Sequence, residues 1–415
     1  MTDPRARVLV ILLGGSMLAC GDAGGGGSDS QATSQGPSSS AADPSSTGGP
    51  PPTGGPQATS TGGTDTGDVT TTMGIATTGT STGGMTTNPA MTTGSDTTSS
   101  ETSGGTTTGE ASETGASSTG GPPPPKCRPS PPSRPAGDCA AVGVVLQPPF
   151  DDNYTCIDLG VLPDVPTEWG GLIVDREDPG ILLAGGDANT LEGTLYAVGV
   201  ARDSECHLLG YTGAPTTARA AAEYNDGGLS YHHGDATLFL ARWPVNQLGQ
   251  LKPGDVATSK VVDLAALGVV SSPGGVTFVP PGFAGEGQLK AVSWPGGEWY
   301  TLALAADGKG TYDVTSATMN TKIVGGPEAF VYVSDENPEF AVDGFLVAEW
   351  SAGNIAAYDA DAKGDPIPAT RRDFIVGLDG AESAYIDPLS GDFLFATFAG
   401  SERLVVIRGF QPQPQ

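Results

Sequence analysis

The chain has 415 residues, 19 lysines and arginines against 47 aspartates and glutamates, and a net charge of −28. A surface of that sign repels nucleic-acid phosphates and anionic lipid heads, so nucleic acid is excluded as a partner, while cations, basic partners and neutral ligands are favoured. The length exceeds the roughly 100–200 residues of one ordinary domain, and the composition divides it sharply.

The chain opens with MTDPRARVLVILLGGSMLAC. Arg5 and Arg7 form a basic region, and the apolar run from Val8 to Leu13 ends among small residues. This is the plan of a secretory signal, and the run is shorter than the roughly 20 apolar residues a membrane span needs. Met17-Leu18-Ala19-Cys20 resembles the lipobox of bacterial lipoproteins, although Met17 and Leu18 depart from the residues that family prefers. The resemblance implies that Cys20 carries acyl chains (palmitate-type) and becomes the mature N-terminus. Gly21, in place of an aspartate that would retain the protein at the inner membrane, implies outer-membrane or cell-surface delivery in a Gram-negative bacterium. Residues 1–20 are therefore read as signal and lipidation site, with the membrane as a partner through that anchor.

Residues 21–126 form a Gly/Ser/Thr/Pro-rich linker, with nine acidic residues, no aromatic residue and no base before Lys126. Such a segment cannot bury enough apolar surface to offset its backbone entropy and is expected to be disordered. As a flexible coil its root-mean-square reach is roughly 50–60 Å.

Cys127, Cys139, Cys156 and Cys206 follow. Four cysteines in an exported chain indicate two disulfides, and no C-x₂-C pair suggests zinc. Three pairings are open. Cys127–Cys139 with Cys156–Cys206 is preferred, because the first two share a Pro-rich lead-in at 127–154.

From residue 155 to 410 the sequence repeats. Openings at Gly170 (GGLIVD), Gly227 (GGLSYH), Gly274 (GGVTFV), Glu328 (EAFVYV) and Glu382 (ESAYID) line up, 57, 47, 54 and 54 residues apart. Each is followed by a second apolar segment, four of which end in Trp243, Trp294, Trp350 and Phe398. Third and fourth short segments, rich in β-formers and broken by Gly, Pro and Asp, complete most units. Helical period is absent; TTARAAAEY (216–224) is at most one short helix. Four strands per roughly 50 residues is the pattern of a β-propeller. The fifth unit lacks a strand that TCIDLGVLP (155–163) can supply, which closes the ring without a free edge. The fold class is all-β, a propeller of five blades, or six if one unit is misread, with a short tail at 411–415. The blade pattern resembles the NHL-like and gluconolactonase-like propeller superfamily.

Loops between fourth and first strands, and between second and third, bring Glu168, Asp226, Glu328 and Glu382 to one face with Trp243, Trp294, Trp350 and Phe398. A carboxylate ring there would suit Ca²⁺, which takes six to eight oxygens. The superfamily resemblance implies a metal-binding glutamate near such a strand start, a place matched by Glu328 and Glu382. A hydrated acidic mouth is the competing reading. The aromatic set is either a stacking surface for sugar rings or blade-to-blade packing. His232-His233 adjoin on an extended chain and so point to opposite sides. With no nucleophile elbow, Walker loop or zinc-protease motif, the leading expectation is a non-enzymatic binding module for a glycan, peptide or partner protein. A Ca²⁺-dependent lactonase-like or other hydrolase using the mouth carboxylates is the alternative.

Overall fold

The computed structural model describes residues 126–398 and 402–413. The lipobox cysteine Cys20 and residues 1–125 lie outside the described residues. The described part is a five-bladed β-propeller.

Blade 1 comprises Leu172–Val174, Ile181–Gly186 and Thr194–Arg202, with its fourth position shared by two short strands. Leu208–Tyr211 pairs with the end of Thr194–Arg202 and Thr217–Ala221 with its beginning. Residues 217–221 are thus a strand rather than a helical turn. An isolated short helix is marginal because its nucleus is costly, and here the open edge of Thr194–Arg202 offers a ladder instead. Blade 2 is Asn225–Tyr231, Leu238–Arg242, Gln247–Leu251 and Lys260–Asp263; blade 3 is Pro273–Phe278, Leu289–Ser293, Glu298–Ala306 and Tyr312–Lys322.

Blade 4 runs Pro327–Val333, Gly344–Glu349, Asn354–Asp359 and Arg372–Val376, with Val145–Leu146 added outside. Blade 5 runs Tyr385–Ile386, Phe393–Ala396 and Leu404–Arg408, then takes its fourth strand, Thr155–Gly160, from the other end of the propeller sequence. Gly137–Asp138 adds a fifth strand outside it. The ring closes as the missing strand of the fifth unit requires.

The lead-in reinforces that closure. Ser130 N–H donates to the Arg202 carbonyl at 2.9 Å and Ser133 N–H to the Tyr211 carbonyl at 2.7 Å, both on blade 1. Arg134 donates to the Leu159 and Val161 carbonyls of the closing segment. The junction of blades 1 and 5 also carries polar side-chain contacts. Arg202 is paired with Asp387, and His207 Nδ1 lies 2.7 Å from Asp392 Oδ1.

The disulfides are Cys127–Cys206 and Cys139–Cys156, so all four cysteines are bridged but the preferred pairing is overturned. Register decides it. Gly137 faces Asp158 and Asp138 faces Ile157, and continuing that antiparallel count sets Cys139 opposite Cys156. Cys127, running along blade 1, meets Cys206 in the turn after Arg202.

Candidate functional site: three axial carboxyls and a tryptophan arc

The five first strands surround the propeller axis, and the lined-up opening residue of each contributes to one level of it. In blades 1, 2 and 3 that residue is glycine (Gly170, Gly227, Gly274); in blades 4 and 5 it is Glu328 and Glu382. Gly274 makes room for the Glu328 carboxyl, and Gly227 for the close approach of blades 4 and 5. A methyl on Gly274 would lie 1.9 Å from Glu328 Oε2, and one on Gly227 would lie 2.5 Å from the Glu382 carbonyl and 3.2 Å from Glu328 Cβ. Asp226, just before Gly227, completes a cluster whose ligand oxygens all lie within 4.8 Å of one another.

This cluster is sealed rather than a hydrated mouth. Asp226, Glu328 and Glu382 are 1%, 6% and 2% exposed. Burial pushes Asp226 up to about 7, partly offset by hydrogen bonds from its neighbours. Burial, and then the adjoining acids, hold Glu328 and Glu382 well above the usual carboxylate range. Among the described residues no lysine or arginine forms an ion pair with the three. Asp226 Oδ2, Glu328 Oε2 and Glu382 Oε1 have no hydrogen-bond partner. The Asn189 amide, with its NH₂ turned inward, donates to Asp226 Oδ1 at 3.0 Å and to the Asn225 carbonyl at 3.3 Å.

Unpartnered buried oxygens are costly when nothing compensates them. Two things can compensate here: protons shared among the carboxyls, or a hard cation, for which an all-oxygen donor set is suited. Three carboxylates offer up to six oxygens, within the range calcium takes. The residues therefore fit such an ion.

Glu168 is not part of this cluster. It is exposed, adopts a positive φ of 66°, and its N–H donates to Glu402. The reason lies in the repeat: Gly170 holds the blade 1 position that Glu328 and Glu382 hold in theirs, leaving Glu168 two residues outside. Asn189, by contrast, joins the cluster without having been expected there. It lies between the second and third strands of blade 1, and DANT carries no signal beyond its turn composition.

At the same end of the ring, the second strands deliver the aromatic residues. Trp243, Trp350 and Phe398 N–H groups donate to Tyr224, Gly326 and Gly380 carbonyls, each two residues before an acid of the cluster. Trp243 and Trp294 stand edge to face at 5.8 Å and 90°, and Trp294 and Trp350 at 5.7 Å and 86°. All three are half-buried. Among the described residues no ring contact joins Phe398 to this arc. The tryptophans thus pack blade against blade and keep part of each ring uncovered.

His232 and His233 sit at the opposite end, as their place after a first strand requires. His232 contacts Asp235 at 3.0 Å and the Tyr312 hydroxyl at 3.1 Å.

No protein-family model and no curated protein matches this sequence. Among solved structures, the chain is similar to a Trichoderma reesei carbohydrate-active enzyme of family AA12 at 10% identity, covering 68% of this chain and 100% of that one, TM-score 0.40. It is similar to Myxococcus xanthus glutaminyl cyclase at 12% identity, covering 59% and 93%, TM-score 0.36. It is also similar to a putative gluconolactonase at 14% identity, covering 65% and 88%, TM-score 0.35. Likeness at this level leaves the chemistry to the chain's own residues.

Proposed function

We propose that the protein is an exported, lipid-anchored binding module whose propeller recognises a glycan on its tryptophan arc. The carrying observation is the unbroken edge-to-face run Trp243–Trp294–Trp350, with each ring partly open to solvent. Sugar rings stack on such faces through their C–H surfaces, and a high negative charge does not oppose a neutral glycan. In this reading Asp226, Glu328 and Glu382 hold a calcium-class cation that ties blades 2, 4 and 5 together at the axis; bound there, it neutralises the carboxylates. The two disulfides fit an oxidising, exported setting. Cys20 supplies the anchor, and a Cys20→Ala chain found in the soluble fraction supports it, whereas one still in the membrane opposes it.

The test is titration of the purified protein with soluble polysaccharides, followed by tryptophan fluorescence, beside Trp294→Ala. Saturable quenching lost in the variant supports the reading. Binding of a peptide or protein instead, or glycan binding indifferent to Trp294→Ala, refutes it.

One observation favours a hydrolase: a carboxyl pushed to about 7 falls in the range useful for acid–base catalysis. Exposures of 1–6% argue against a substrate reaching it. Turnover of lactones or phosphoesters with Ca²⁺, abolished by Glu382→Gln, would establish that alternative over the binding module.

A further inference from the structure

The end of the axis away from the acids opens into a cavity of about 900 Å³, built from the far ends of all five first strands. Its size is that of a site for one drug-sized molecule. Ile173, Leu229, Val331 and Ala384 lie between it and the acid level and form its floor. Its walls carry Tyr231, Phe278, Tyr332 and Tyr385, and the chain's last described residues, Pro412 and Gln413, form part of the rim.

Asp175, Arg176 and Asp387 of this cavity are hydrogen-bonded within the fold. Asp175 accepts the N–H groups of Glu177 and Asp178. Arg176 donates to the His232 and His233 carbonyls at 3.0 and 3.1 Å. Asp387 is paired with Arg202 and accepts Leu389 N–H. His233 is held below its ordinary value, first by burial and then by His232, so it is neutral near pH 7. One polar group is not committed. Gln413 is only 7% exposed, and its Nε2 has no hydrogen-bond partner. A ligand oxygen is the simplest partner for that donor, since an unmet buried donor costs about 1–3 kcal/mol.

We infer that this cavity is a second ligand site, distinct from the tryptophan arc, for one neutral, ring-bearing apolar molecule that offers an acceptor oxygen or nitrogen to Gln413. Aromatic walls suit flat or fused rings. Asp175 and Arg176 are of opposite sign and Asp387 is paired with Arg202, so the described lining presents no net charge to favour an ion, whose burial unpaired is far costlier than that of a paired dipole.

The probe is N-phenyl-1-naphthylamine, neutral and fluorescent in apolar surroundings, compared with its sulfonated relative 8-anilinonaphthalene-1-sulfonate on the full chain. The expected result is saturable binding of one neutral probe per chain, at least about tenfold tighter than the sulfonate. Thr277→Trp, which fills the cavity from the blade 3 wall, should weaken it at least about tenfold. Gln413→Ala should weaken it several-fold, and Trp294→Ala should leave it unchanged. Should Thr277→Trp fail to fold by circular dichroism, Leu389→Trp at the rim takes its place. Absence of saturable binding, equal affinity for the sulfonate, or indifference to both the filling variant and Gln413→Ala overturns the inference. Loss in Trp294→Ala would move the site to the other face and overturn it as well.

Discussion

Replacing Gly274 with alanine tests whether glycine at the axial level exists to seat Glu328. The new methyl would lie 1.9 Å from Glu328 Oε2, 2.9 Å from its Cδ and 2.9 Å from its Cα. Side-chain methyls essentially never approach other heavy atoms closer than 3.0 Å, so the carboxyl must move by about 1 Å or more within a sealed cluster. Overpacking of this kind costs typically about 1–3 kcal/mol, and the upper half is expected, since the displaced group has neither water nor room. Glu328→Ala removes Oε2 and Cδ and leaves the approach to the backbone of residue 328, 2.9 Å from its Cα, as the part of the cost common to both backgrounds. Deleting a buried carboxyl with an unpartnered oxygen is itself close to neutral in chelator. Gly274→Ala should therefore cost about 1–2 kcal/mol less in the Glu328→Ala background than alone, a coupling well above the few tenths expected of independent sites. Urea denaturation of the four proteins in chelator, with a common m-value, measures the cycle. Equal cost in both backgrounds would show that the glycine does not serve the acid.

Added Ca²⁺ should raise the melting temperature through the axial carboxylates, by the equivalent of about 2.7 kcal/mol at a hundred times its Kd; scanning calorimetry of the native chain beside Asp226→Asn checks this, and the variant should gain little. Arg202→Met leaves Asp387 buried without its cation and should cost about 3–5 kcal/mol in chemical denaturation. Opening Cys127–Cys206, which spans 79 residues, should cost about 1.4 kcal/mol more than opening Cys139–Cys156, which spans 17, because the longer loop restrains the unfolded chain more; serine double variants compared by denaturation test it. Because burial, His232 and Arg176 depress His233, with Glu286 opposing, the unfolded chain binds its proton more readily than the folded one. Stability from this group is therefore present above its ordinary 6.5 and lost as pH falls through 6.5 toward the lowered folded value. The stability of the native chain relative to His233→Asn should shrink between pH 7.5 and 5, and a constant difference would contradict the assignment.

Strand identity was legible because it is local: alternation, β-branched and aromatic residues and glycine-bounded turns repeat every 50 or so residues. The five openings at Gly170, Gly227, Gly274, Glu328 and Glu382 are each a first strand or its immediate start. The unpaired edge of the fifth unit demanded Thr155–Gly160. The exchange of glycine for glutamate in units four and five was visible when the repeats were lined up, but that Gly274 leaves space for the Glu328 carboxyl is a fact of the packed ring. What only tertiary structure decided depends on closure of the ring. It excluded Glu168, drew in Asn189, buried Asp226 with the two glutamates, and stood three tryptophans edge to face without Phe398. Register between Gly137–Asp138 and Thr155–Gly160 chose the disulfides, an edge on blade 1 made residues 217–221 a strand, and the convergence of five strand ends made the cavity. Periodicity along a chain reports which way each residue faces within its own strand. Which side chains share an axis is set by how five separate sheets are packed around it, and no spacing along the sequence encodes that.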